Sequence, residues 1–336
     1  MNSAIIREDC GKLLDSFAAI KQLFNKTFLI AGSNGLIGNY LVNALSLANE
    51  RYGANINAYC ISKHAPAWKD DRFSYLTLDL SQPFSFEFPV DYVVHCACYG
   101  RPQKFLENEL ETIALNVDAT KMLLDIAKAS RAKFLFASTS EIYGNPPPEH
   151  IPTRETYPGN SLTSNGRAAY VESKRLGETL CYVYRRNHHI EAKVARIALV
   201  YGPGISINDE RVMGNFIKKA LVDKHIKLID SGESLRTYCY ISDALNMLFR
   251  ILLDGNDILY NVGGVDVVSV YQMASIIADY CGASCERGSG VGMKDAPNIV
   301  RLDIGKACRE FKIDKFVPFK EGLQRTIDWN IGRQKG

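Results

Sequence analysis

Residues 27–45 read TFLIAGSNGLIGNYLVNAL: an apolar run, a glycine-rich turn and an amphipathic stretch in immediate succession. Phe28 to Ala31 have the continuous apolar character of a short strand covered on both faces. Beyond Leu36 the apolar residues return at helical spacing. Between the two lie Gly32, Gly35 and Gly38, a G-x-x-G-x-x-G pattern that lets the chain turn tightly. Such a turn brings backbone N–H groups, including those of Asn34, Leu36 and Ile37, and a helix N-terminus against an anion such as a pyrophosphate. A glycine pattern alone is a weak signal and can be a purely structural turn. Its place directly after a strand and before a helix makes a dinucleotide site the preferred reading.

Outward from this unit the pattern repeats. INAYCIS (56–62), FSYLTLDL (73–80), DYVVHCACYG (91–100), KFLFASTSEIYG (133–144) and IEAKVARIALVYGPG (190–204) read as strands. ETIALNVDATKMLLDIAKAS (111–130) and the stretch through Tyr170 to about Arg186 read as helices. Strands alternating with helices over short connections predict an α/β chain built on a doubly wound parallel sheet. Before it, apolar residues Ile5, Ile6, Leu13, Leu14, Phe17, Ile20 and Phe24 predict a helix over 3–24, either an accessory element or an oligomer contact. The second strand ends in Ser62, Lys63 and His64, where a carboxylate would grip the adenosine ribose of NAD. No acid stands there. A 2′-phosphate could be accommodated, with Lys63 its partner or else a solvated loop residue, so NAD and NADP both stay open.

The chemistry concentrates between Ser138 and Lys174. In YVESK (170–174) Tyr170 and Lys174 are one helical turn apart on one face. A free tyrosine has a pKa of about 10. An ammonium about 4 Å away at an effective dielectric of about 20 supplies about 4 kcal/mol, the order needed to bring that pKa near neutrality. Thr139 stands at the expected C-terminal end of a strand, where open α/β sheets place their ligands. Tyr-x-x-x-Lys is common on amphipathic helices; its company here is what singles it out.

The glycine turn, Thr139 and Tyr170-x-x-x-Lys174 together resemble the short-chain dehydrogenase/reductase superfamily, and the length and later motifs resemble its extended branch of nucleotide-sugar epimerases, dehydratases and decarboxylases. The resemblance runs from about Asn25 to Asp328 and implies a Rossmann-type sheet with a smaller mixed C-terminal substrate lobe. It divides the chain into an N-terminal helix (1–24), a dinucleotide domain (25–203, with 236–262) and a substrate lobe (204–235 and 263–336). It further implies that Ser62, Asp79, Leu80, Ala97 and Ser138 line the cofactor, with Asp79 and the following backbone at the adenine amino group. Asn116 would brace the active-site strand, and Lys174 would hold the ribose and acidify Tyr170. Ser140, Arg211, Asn215 and Arg236 would contact the substrate, Arg236 through the planar fork suited to a diphosphate or carboxylate. STSEIYG is similar to UDP-glucuronate decarboxylases and shares S-T-S-E with GDP-mannose dehydratases, which places Glu141 in chemistry beyond hydride transfer. Along an extended segment Glu141 would project to the same side as Thr139. Leu199 departs from the pattern, since those enzymes commonly carry an asparagine there. A 4-epimerase, an NADPH-dependent 4-ketoreductase and a nucleotide-binding protein without turnover are the alternatives.

Composition agrees with a globular enzyme of two packed lobes. The chain has 336 residues, 46% of them hydrophobic, and 40 basic against 37 acidic side chains give a formal charge of +3. No long block of one sign points to nucleic acid. No run reaches the roughly 20 apolar residues of a membrane span, and Arg7, Glu8 and Asp9 stand where a signal peptide would be apolar. Nine scattered cysteines without C-x-x-C spacing argue against zinc; Cys281 and Cys285 are a weak pair of ligands, and no metal is expected. Lone His95 reads as structural. The expected setting is cytoplasmic, with a nucleoside-diphosphate sugar as partner and, by resemblance, a homodimer.

Overall fold

A computed structural model describes residues 3–17, 19–290 and 299–334. Strands β1 (Thr27–Ala31), β2 (Asn57–Ser62), β3 (Ser74–Thr77), β4 (Tyr92–His95), β5 (Lys133–Thr139) and β6 (Ala192–Ile197), with the late strand Leu259–Val262, form one sheet. The order is 259–262, β6, β5, β4, β1, β2, β3, and every pairing is parallel. Both faces are covered, which is why these strands read as continuous apolar runs. Phe28, Ile30, Ala58, Cys60 and Val94 point into one core with the helices before and after β1. Leu29, Ala31, Ile61, Val93, Phe134 and Phe136 point into the other.

Helix α1 (Ala4–Ser16) is capped by Ser3, whose Oγ accepts from the Ile5 amide. It stops earlier than the periodicity predicts, because the chain breaks and re-forms as a 3₁₀ turn at Ile20–Leu23. α1 packs on α2 (Leu36–Tyr52), and its buried Asp9 accepts from Tyr40 Oη at 3.0 Å, Tyr240 Oη at 2.7 Å and Arg325 Nη2 at 2.7 Å. The N-terminal helix is thereby an internal brace that ties the first helix to the last, Phe319–Gln334. Burial raises the Asp9 carboxyl against the lowering pull of those donors.

Beyond β6 the small elements form separate pieces of sheet. Leu235–Thr237 lies between antiparallel Val267–Ser269 and parallel Ile299–Val300, and His225–Lys227 pairs with Ser284–Glu286. Among the described residues no helix is long and apolar enough to cross a membrane. A parallel sheet gathers all its strand C-termini on one edge. The chain leaves β1 toward β2 and β3, then returns to the other side at β4, so the edge opens into a crevice between β1 and β4.

Candidate active site

Gly32 sits at φ +88°, and a Cβ there would lie 2.6 Å from the Ala97 amide nitrogen. The turn after β1 thus presses directly on the end of β4, and Ala97 enters the crevice through its backbone. At Gly38 a Cβ would come 2.2 Å from the Gly32 carbonyl, so α2 can begin this close to β1 only without a side chain. Gly35 is the N-cap of α2, with no side chain capping the first turn. Its orphan amides at Leu36 and Ile37 face the crevice with the helix dipole behind them, a cradle that fits a dinucleotide pyrophosphate. Exposed Asn34 and half-buried Ser62 both donate to the His64 carbonyl, at 2.6 and 2.8 Å, lashing the loops after β1 and β2 together.

Lys63 does not stand free in its loop. Its Nζ lies 3.0 Å from Asp79 Oδ2 and 2.7 Å from Glu111 Oε1. Asp79 also accepts from the Ser81 amide and hydroxyl at 3.0 and 2.7 Å, and these bonds, with Lys63, hold its carboxyl below the usual range. Leu80 is buried in the core below. Ser138 is likewise committed: its hydroxyl donates to Glu178, which is paired with Arg196 in the protein interior, leaving only the Ser138 backbone to face the crevice.

α3 (Ala168–His188) carries Tyr170 and Lys174 against β5, both buried. The Thr139 hydroxyl stands close enough to the Tyr170 phenol to exert a lowering pull on it. Lys174, expected to acidify that phenol, is directed at β5. Its Nζ donates to the Ala137 carbonyl at 2.8 Å and lies 4.7 Å from the centre of the Phe136 ring. Desolvation raises the Tyr170 phenol well above its ordinary value, and the nearby Cys98 and Glu141 add to the rise. A one-turn spacing fixes the direction of Lys174 but not its reach, and a lysine with a carbonyl in range satisfies its donor there. Asn116 braces the helix rather than the strand, donating to Ser173 Oγ at 2.9 Å. His95 is wholly interior, its Nε2 3.1 Å from the Leu115 carbonyl, and burial lowers its pKa to about 3, so it stays neutral.

The segment after Thr139 is not extended. It folds into a 3₁₀ turn, Ser140–Tyr143, in which the Glu141 amide donates to Thr139 Oγ1 at 3.2 Å. Alternation along a strand therefore does not place Glu141; the turn does. Its carboxylate is forked by Arg167, with Nε to Oε2 at 2.9 Å and Nη2 to Oε1 at 2.7 Å. Arg167 packs over Phe105, 5.1 Å from the ring centre, and Phe105 stacks on Tyr170 at 4.4 Å and 6°. Guanidinium, phenyl and phenol form one pile beside Thr139. Neither Arg167 nor Phe105 was expected from sequence. Arg167 had a readable signal, since it precedes Tyr170 by three residues and so shares its helical face; Phe105, in the short helix Pro102–Glu107, had none.

Ser140 is half-buried at the start of the turn. Arg211 is forked onto buried Asp209 at 3.0 and 2.8 Å, and Asn215 is exposed on Val212–Val222. Arg236 is half-buried, donates to the Leu235 carbonyl at 2.8 Å, and is pulled down by burial. Leu199 is exposed just past the end of β6. Among the described residues no cluster of three or more His, Cys, Asp or Glu could hold a metal ion.

Comparison with known proteins follows the same geometry. UDP-glucuronic acid decarboxylase 3 of Arabidopsis thaliana is 34% identical over 304 residues, which cover 89% of this chain and 87% of the relative. UDP-glucuronic acid decarboxylase 1 of Xenopus tropicalis is 32% identical over 306 residues, 90% of this chain and 72% of the relative. An epimerase structure from Methanothermobacter thermautotrophicus superposes with a TM-score of 0.81 at 22% identity, covering 95% of this chain and 97% of that one. A UDP-glucuronic acid 4-epimerase of Bacillus cereus in complex with NAD superposes at 0.74 with 24% identity, covering 92% and 98%. These two likenesses establish the fold. The model of the NAD dependent epimerase/dehydratase family matches residues 28–263, and with glycine cradle, parallel sheet and Tyr-x-x-x-Lys helix all in place the chain belongs to that family.

Proposed function

We propose that this protein oxidises a nucleoside-diphosphate uronic acid at C4 and then removes its C6 carboxylate as carbon dioxide, as the names of its decarboxylase relatives suggest. The observation that carries the reading is the Glu141–Arg167 pair beside Thr139 and Tyr170. Bound NAD would accept and return one hydride, so the cycle is redox-neutral. Tyr170 takes the proton of the C4 hydroxyl while Thr139 holds the same oxygen. The resulting ketone is β to the carboxylate, so the C5–C6 bond can break with its electron pair moving into the C4–C5 enolate. A proton must then reach C5. A plain epimerase or ketoreductase needs only Tyr170 at C4, whereas this sequence requires a second polar group further along the sugar, and Glu141 with Arg167 supplies it. Arg211, Asn215 and Arg236 are the proposed contacts to the nucleotide and its phosphates. With UDP-glucuronate the expected product has lost the mass of carbon dioxide, with no net cofactor absorbance change. Product of unchanged mass would favour the epimerase, and stoichiometric oxidation of NADPH by a 4-keto sugar supplied in its place the ketoreductase.

We also infer a homodimer. Leu106, Leu110 and Ile113 are 43%, 83% and 38% exposed on adjoining helices (Pro102–Glu107 and Glu109–Asn116), and Leu176 is 47% exposed on α3, which packs beside them. Such a stripe is most simply covered by its own copy. Sedimentation should give twice 37.5 kDa for the wild type and 37.5 kDa for Leu110→Glu. A monomeric wild type would overturn the dimer. The thiols are all free, several deep in the core, which fits a reducing cytoplasm.

A further inference from the structure

The crevice corner beyond β2 and β3 holds an ion cluster that the ends of those strands alone do not account for. Lys63 comes from the loop after β2, Asp79 from the loop after β3, and Glu111 from the first turn of the helix Glu109–Asn116. The ammonium sits between the two carboxylates, 3.0 Å from Asp79 and 2.7 Å from Glu111. Glu111 also stands near the Tyr99 phenol. Tyr99 is pushed up to about 12 by burial and then by that carboxylate, so it remains a donor at neutral pH. The Lys63 amine is raised first by Glu111 and then by Asp79, so its proton stays on. Two carboxylates against one ammonium leave the corner formally negative. This is the corner in which a strand-end acid would meet the adenosine ribose, and Ser62 stands where that acid is missing.

We propose that Glu111 is a cofactor-selecting residue: by neutralising Lys63 and leaving the ribose corner negative, it admits a ribose with a free 2′-hydroxyl and repels one with a 2′-phosphate. A phosphate monoester carries about −1.5 to −2 at neutral pH, and the Lys63 ammonium of this corner is already held by two partners. The missing acid after β2 is thus replaced from another element, 48 residues further along the chain from Lys63. The inference rests on the family's dinucleotide site and not on decarboxylation, so it stands or falls separately from the substrate.

The test is direct calorimetric titration of wild type and Glu111→Gln with NAD and with NADP, each at low and at high salt. Glutamine keeps the shape and can still accept from Lys63, so only the charge changes. Wild type should bind NAD at least tenfold more tightly than NADP, and Glu111→Gln should narrow that ratio about tenfold. Salt gives an independent sign in the unmodified protein. Repulsion of the 2′-phosphate is screened at these half-exposed groups, so the NAD to NADP preference should shrink as salt rises. If Lys63 instead swings out to hold the 2′-phosphate, the wild-type ratio lies within tenfold and salt weakens NADP selectively; either result overturns the proposal. An unchanged ratio in Glu111→Gln also overturns it. Failure of both dinucleotides to bind would reject the site itself, whereas failure to decarboxylate any sugar leaves this result untouched.

Discussion

Tyr170→Phe should lose at least a hundredfold in turnover while folding and NAD affinity stay close to wild type. The substitution removes one hydroxyl and nothing else from the pile of Arg167, Phe105 and Tyr170, since stacking at 4.4 Å depends on the ring. General acid–base catalysis is typically worth about 10² to 10⁴, and Thr139 has no means of taking the proton away. Retention of more than about a tenth of the wild-type rate would remove Tyr170 from the role of acid and base. The environment makes a further demand. Desolvation, Cys98 and Glu141 keep the Tyr170 proton on in the free protein, and Lys174 is turned to the Ala137 carbonyl. An ultraviolet difference titration of wild type against Tyr170→Phe should therefore show no phenolate step below about pH 10, the ordinary tyrosine value. A step near pH 7 in the ligand-free protein would mean that Lys174 reaches the phenol after all. As a resting acid, Tyr170 becomes a base only when positive charge arrives beside it, which an oxidised nicotinamide ring would bring.

Glu141→Gln is expected to separate the two halves of the reaction. Glutamine keeps the length and one accepting oxygen, so the 3₁₀ turn and its amide bond to Thr139 are preserved. The fork from Arg167 loses its charge partner, and the site loses the carboxylate that the turn holds beside Thr139. With a uronic acid substrate, rapid-scan absorbance should show the cofactor reduced at close to the wild-type rate. Product formation should fall at least a hundredfold, with a keto sugar accumulating. Arg167→Lys should move in the same direction by less, because an ammonium restores the charge but not the two parallel hydrogen bonds. Wild-type product formation by Glu141→Gln would reduce Glu141 to a residue that shapes the turn, and the epimerase or ketoreductase reading would replace decarboxylation.

The parts of this protein that could be read from its residues alone are those set by local periodicity. Glycines spaced by three between an apolar run and a helix specify a turn that only a missing Cβ allows, and the closeness of Gly32 to Ala97 and of Gly38 to Gly32 is the physical content of that pattern. A four-residue spacing puts Tyr170 and Lys174 on one face, and the end of an apolar strand puts Thr139 on the ligand edge. What each charged group then touches depends on segments far away in the chain. Lys63 looked available for a phosphate until Glu111 was brought to it by the path from β4 into the following helices. Glu141 looked aligned with Thr139 by strand alternation, but the turn re-aimed it onto Arg167. Lys174 is near Tyr170 along the helix yet bonded to β5, and the phenol responds to its burial more than to its neighbour's charge. Hydrophobic period and backbone sterics act over a few residues and are written in order along the sequence. Desolvation and Coulomb interactions act through space, so they take their values only once distant segments have been packed together.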